Sequence, residues 1–265
     1  MNITLYLREM KGSWKLLLIF GAVLTMYISM IIGMYDPEMA SAIKEFEKVM
    51  PELMAAVGMM GATDTLINFM SSYLYGMIML IFPMVFVFIR SNSLVARYVE
   101  NGSMVSLLCA PVKRTTIIVT QWVSLISCII ILLAYCTGLE YVVAQMTFPD
   151  QLKLNELFYL NAGLLLFEIF IASFAFCASC IFNESKLSVM VGTGIPVLMY
   201  VIQMLANMGG KLENLKYLTV FTMFDPTSFI AQDSFSVISM ISLFVGSLIL
   251  LFMASSIFKR KDLHI

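Results

Sequence analysis

A chain of 265 residues that is 60% hydrophobic and 12% charged has too little charge to clothe a soluble surface. Its apolar residues gather into runs long enough to cross a bilayer, so it reads as an all-α integral membrane protein. A net charge of −1 points to no nucleic-acid partner, and a single histidine, His264, leaves no histidine-based metal or catalytic cluster.

In chain order, residues 1–13 come first. Ile3, Tyr6, Leu7, Met10 and Trp14 follow the spacing of one helical face, with Arg8, Glu9 and Lys11 between them. This predicts a short amphipathic helix lying in the interface, with Trp14 at the headgroups. Ala40-Ser41-Ala42 resembles a signal-peptide cleavage site, but the apolar run before it is longer than a signal core, so the first run is read as a retained span. Six transmembrane helices are predicted, over 14–34, 66–89, 116–139, 156–181, 186–208 and 235–258.

Two segments fall on the outer side, 35–65 and 209–234. In the first, Met39, Ile43, Phe46, Met50, Leu53 and Val57 mark one helical face, with Glu38, Glu45, Lys48 and Glu52 largely opposite and a bend near Pro51. The second carries FDPTSF before the last span and is a candidate to dip into the outer leaflet. With both termini cytoplasmic, only Lys44, Lys48, Lys153, Lys211 and Lys216 of the 16 basic residues fall outside, which satisfies the positive-inside rule. Residues 90–115 then form a cytoplasmic loop.

Catalytic motifs are missing. There is no Walker A pattern, since Gly209-Gly210-Lys211 lacks the first glycine and the hydroxyl residue, and there is no HExxH. The chain is therefore read as non-catalytic, with no cofactor of its own. Five cysteines do not make a disulfide framework, and Cys177 with Cys180 reads as packing. Glu168 falls near the middle of the fourth span, either as a substrate or proton contact or as a protonated carboxyl bonded to a neighbouring helix. Pro83 and Pro196 break the backbone ladder of the second and fifth spans, and with Glu168 they are the candidate lining of a transport path.

The loop ENGSMVSLLCAPVKRTT, 100–116, is unlike its apolar surroundings. Ser103 is placed to cap a short helix through Met104, Val105, Leu107 and Leu108, ended by Pro111, with Gly102 in a positive-φ turn before it. An apolar helix in water needs a groove, on a soluble protein or on this chain itself. Lys113 and Arg114 would anchor the third span at the inner headgroups.

Glu100, Gly102, Ser103, Leu107-Leu108, Pro111-Val112 and Arg114 resemble the E-x-G-[ST]…LL…P-V-x-R pattern of ABC-2 type permeases, the membrane subunits of ATP-binding-cassette exporters. A lysine that often follows in that family is Gln121 here. The resemblance implies a bacterial plasma-membrane permease with a cytoplasmic coupling helix. It implies a second permease subunit and two ATPase subunits that carry the ATP and Mg. By the same resemblance Glu100, Gly102, Ser103, Val105, Leu107, Leu108, Pro111 and Arg114 meet the ATPase, with Glu184 in the NESK turn as a smaller contact. The path would be lined by spans one, two and five, and the cargo would be an amphipathic molecule such as a peptide toxin, bacteriocin or antibiotic. Two alternatives stand beside it. One is a secondary transporter or channel acting alone, against which no internal repeat is visible; the other is a membrane scaffold or sensor.

Overall fold

In the computed structural model, which describes residues 1–36, 50–59, 64–109 and 112–261, Asn2 opens the first helix by accepting from the Leu5 backbone N–H. Helix α1 then runs unbroken over Ile3–Gly33, about 46 Å at 1.5 Å per residue. The separate interfacial helix expected over 1–13 is instead the first three turns of the spanning helix. The reason lies in the face that is buried: Leu5, Glu9 and Ser13 turn inward, while Ile3, Leu7 and Trp14 are exposed. A mixed stripe of Leu5, Glu9 and Ser13, with Met10 beside it, holds these turns to the bundle.

The second span is broken. Helix α2 (Pro51–Ala56) precedes it, with Pro51 at its start, where a missing N–H costs nothing, rather than at a bend. Helix α3 (Leu66–Met70) passes into a π-helical turn at Ser71–Tyr75, the chain leaves helical geometry at Met77, and α4 resumes over Ile78–Leu94. Gly76 permits the break: a Cβ there would lie 2.6 Å from the Ser72 carbonyl oxygen and 2.7 Å from that of Gly58. A second irregularity at Val95 leads into α5 (Ala96–Glu100) and then α6 (Ser103–Leu108). The helix thus continues well past the predicted end at residue 89. Pro83 lies within α4 and is buried.

The remaining spans are α7 (Arg114–Thr147), α8 (Leu154–Ile181), α9 (Ser185–Asn207) and, after a short α10 (Pro226–Ala231), α11 (Ser234–Arg260). Among the described residues six helices, counting Ile78–Glu100 as one, are long and apolar enough to cross a membrane. At about 51 Å, α7 exceeds its predicted span by more than two turns and carries Glu140 into the packed region. Helix α8 is central, packing against α4, α7, α9, α10 and α11. Helices α1, α9 and α11 present long apolar faces outward.

The segment between α9 and α11 folds back into the bundle. Asp225 caps α10 through the Thr227 N–H, and Phe221, Phe224 and Phe229 are buried. Phe221 and Phe224 lie 5.0 and 5.9 Å from the ring of Phe167, about 20 Å along α8 from Leu154. Phe229 covers Gly163 so closely that a Cβ would meet its ring at 2.2 Å. Of the expected outer amphipathic helix, Met39, Ile43, Phe46, Glu38, Glu45 and Lys48 lie outside the described residues, as does His264.

Candidate functional site

The start of α1 and the end of α11 share one end of the bundle with the α4–α7 loop. Hydrogen bonds from the Asn2 N–H to Thr120 Oγ1 (2.9 Å) and from Arg114 Nη1 to the Lys261 carbonyl (3.0 Å) fix this. Arg8, Lys11, Arg97, Lys113, Lys186, Lys259 and Arg260 lie here too, which makes it the basic end.

Its interior is a polar network. Arg90, expected in a loop, sits inside α4 and is buried; its Nη2 donates to Glu9 Oε2 at 2.7 Å and to the Glu9 carbonyl at 2.8 Å. The Tyr98 hydroxyl donates to Glu9 Oε1 at 2.6 Å, so both carboxylate oxygens are engaged. The irregularity at Val95 leaves the Ala96 N–H without a helical acceptor, and Ser179 Oγ on α8 takes it at 2.9 Å. Asn92 reaches Ser185 Oγ at 2.7 Å, which sets the start of α9 beside the loop. Lys261 Nζ donates to the Cys180 carbonyl at 2.9 Å, and burial holds its ammonium below the usual lysine range.

The loop residues divide on this base. Gly102 has φ of +68°, the left-handed turn expected of it, and α6 begins at Ser103. Glu100, Gly102 and Ser103 are exposed, as is Glu184 immediately before α9. Leu107 is different: it packs on the chain's own core beside the fully buried Met104, so part of the apolar face of α6 is seated on this molecule. Arg114 differs too, bonded to the end of α11 rather than free at the headgroups. Pro111, and the side chains of Val105 and Leu108, lie outside the description.

A groove of about 550 Å³ runs between α4 and α9, walled by Met84, Phe88, Val189 and Val197 and ending at Asn92 and Arg97. Residues of spans two and five line this groove, and none of α1 does. Pro83, Pro196 and Glu168, the residues expected to line a transport path, are not among those that line this groove. Pro196 belongs to a buried stripe with Ser188 and Gly192, where a Cβ on Gly192 would come within 3.3 Å of Ala175 on α8. Pro83 is buried and outside the groove lining. Glu168 is fully buried, and among the described residues neither carboxyl oxygen has a hydrogen-bond partner, on a neighbouring helix or elsewhere.

At the opposite end a second polar cluster spans three elements. Tyr75 donates to Glu140 Oε2 at 2.7 Å, and Asn161 Nδ2 donates to the same oxygen at 3.0 Å and to the Tyr75 hydroxyl at 2.6 Å. The sequence reading missed Glu140 by ending the third span at Leu139. The apolar run continues through Tyr141, Val142 and Val143, and that continuation was the available signal. Glu9 was missed because charged residues near a terminus are usually solvated.

No protein-family model matches this chain, and comparison with curated proteins returns no relative. The likeness to ABC-2 permeases therefore stands on the loop motif and the arrangement of spans around it.

Proposed function

We propose that this chain is the permease subunit of an ATP-driven exporter, coupled through α6 to a separate ATPase that binds the basic end. One observation carries the reading: a six-residue helix between the second and third spans, entered through a left-handed glycine at the basic end of the bundle. A free loop would not need Gly102 held at positive φ, nor a base knitted by Arg90, Asn92 and Ser179. The positive-inside rule makes the basic end cytoplasmic, where ATP and Mg are held by two ATPase copies. A second permease subunit covers part of the apolar faces of α1, α9 and α11. The groove between α4 and α9, apolar with a cationic end, suits an amphipathic cargo such as a peptide toxin or antibiotic. The test is co-purification: the tagged chain should capture an ATPase encoded beside it and stimulate its hydrolysis. Failure of every neighbouring ATPase to bind would end this reading.

A secondary transporter is the second reading. Three buried acids among the described residues, Glu9, Glu140 and Glu168, rather than the single one visible in the sequence, favour it. Export that stops when the proton gradient is collapsed, while ATP is maintained, would select it.

A further inference from the structure

The far end of the bundle holds a second cavity, about 460 Å³ in volume, within the range of small-molecule sites. It lies between the broken second span, the end of α9 and the segment that folds back before α11. Aromatic rings wall it: Tyr75, Tyr200, Phe221, Phe224 and Phe235. Asp225 supplies a carboxylate, and no lysine or arginine lines the cavity among the described residues. The hydrogen-bond donors to Asp225, from Thr227 and Ser228, are neutral, and it forms no ion pair among the described residues. Behind the wall, Tyr75 is bonded to Glu140, whose Oε1 accepts nothing among the described residues, as is true of Asn161 Oδ1.

Each of these features favours positive charge. The face of an aromatic ring is the negative part of its quadrupole and attracts a cation within about 6 Å. A carboxylate whose hydrogen-bond donors are all neutral keeps its full negative charge, which attracts a cation at close range. A bare metal ion would instead seek several oxygen or nitrogen ligands, and no group of three His, Cys, Asp or Glu is present among the described residues. The geometry points to a binding site for an organic cation, an ammonium group carrying an apolar tail. The tail meets rings and Leu80, while the ammonium meets Asp225 and the ring faces. The site adds a cargo class to the exporter reading without resting on it, because the purified chain can be tested with no ATPase present.

The experiment places the chain in nanodiscs of phosphatidylcholine. Cys109→Ser removes the exposed native thiol, the other four cysteines being buried, and Ala56→Cys puts a reporter thiol on the cavity wall. Alkylation of that thiol is followed with octyltrimethylammonium, octanol and octanoate as competing probes. The ammonium should protect at a concentration at least about tenfold lower than either of the others. Asp225→Asn, which keeps the helix cap, and Tyr200→Leu should each reduce that preference several-fold in protein that elutes and unfolds like the parent. Equal protection by all three probes overturns the site. So does a preference that survives in both variants, or ammonium binding that leaves the introduced thiol fully reactive.

Discussion

Arg90 Nη2 meets Glu9 Oε2 at 2.7 Å, joining the first turns of α1 to the last turns of α4 through a buried ion pair. The Tyr98 hydroxyl on α5 completes the site, so the helix that leads into the loop is tied to the first span. Removing one partner strands the other charge in apolar surroundings, which costs about 3–5 kcal/mol in buried pairs. Glu9→Gln and Arg90→Gln should each lower the unfolding temperature markedly. The double variant should lose much less than the two losses added. Additive losses in a thermal unfolding series would show that the two charges do not depend on one another.

Glu168 presents the opposite case, a fully buried carboxyl with neither oxygen bonded among the described residues. Such a group contributes a desolvation penalty and no compensating bond. Glu168→Leu should therefore be at least as resistant to heat as the parent. Glu168→Lys, which places a long cation near mid-span, should reduce the folded protein in the membrane, since such a charge costs about 2.5–3.5 kcal/mol on insertion scales. A clear drop in unfolding temperature for the leucine variant would mean the carboxyl holds a bond that supports the fold.

The existence and order of the six spans were legible because long apolar runs leave the backbone no alternative to helix. Their interruptions were not. The break at Gly76 depends on the tail of α2 crossing at Gly58, a contact between distant residues that no local pattern encodes. The same holds for the polar clusters: Glu9 and Arg90 each read as solvated charges until the fold brings them together. The left-handed turn at Gly102 was legible because a glycine before a serine-led helix is a local signal. That Pro83 and Pro196 are buried against neighbouring helices was not legible either, since proline identity reports a lost N–H and not the direction in which the ring points.

Gly163 and Phe229 test how firmly the returning segment is held. A Cβ at 163 would sit 2.2 Å from the Phe229 ring, far inside contact distance, so Gly163→Ala must displace the ring and loosen α10 from α8. Overpacking of this kind costs about 1–3 kcal/mol. Gly163→Ala alone should lower the unfolding temperature and expose residues 209–234 to protease added at the far end. Combined with Phe229→Leu, which vacates the ring edge, it should lose less than it does alone. Unchanged protease resistance in Gly163→Ala would place the segment away from α8.

Gly102 separates backbone geometry from side-chain contact at the proposed coupling loop. Its φ is +68°, and among the described residues a Cβ there meets nothing within 4 Å, so a defect on substitution is assigned to backbone conformation. Asparagine visits the left-handed region readily, whereas a β-branched residue there pays about 1–3 kcal/mol and shifts the turn instead. Gly102→Asn should therefore keep α6 where it is and retain ATPase association. Gly102→Val should re-aim α6 and weaken that association by about tenfold, since 1.4 kcal/mol is one decade. Gly12→Val is the control: it also adds a Cβ to open space, but inside α1, where φ is helical. It should leave ATPase capture unchanged. Membrane levels of all three variants, measured beside the pull-down, exclude a folding defect as the cause. Equal ATPase capture by Gly102→Val and Gly102→Asn, at equal membrane levels, would remove α6 from the coupling interface.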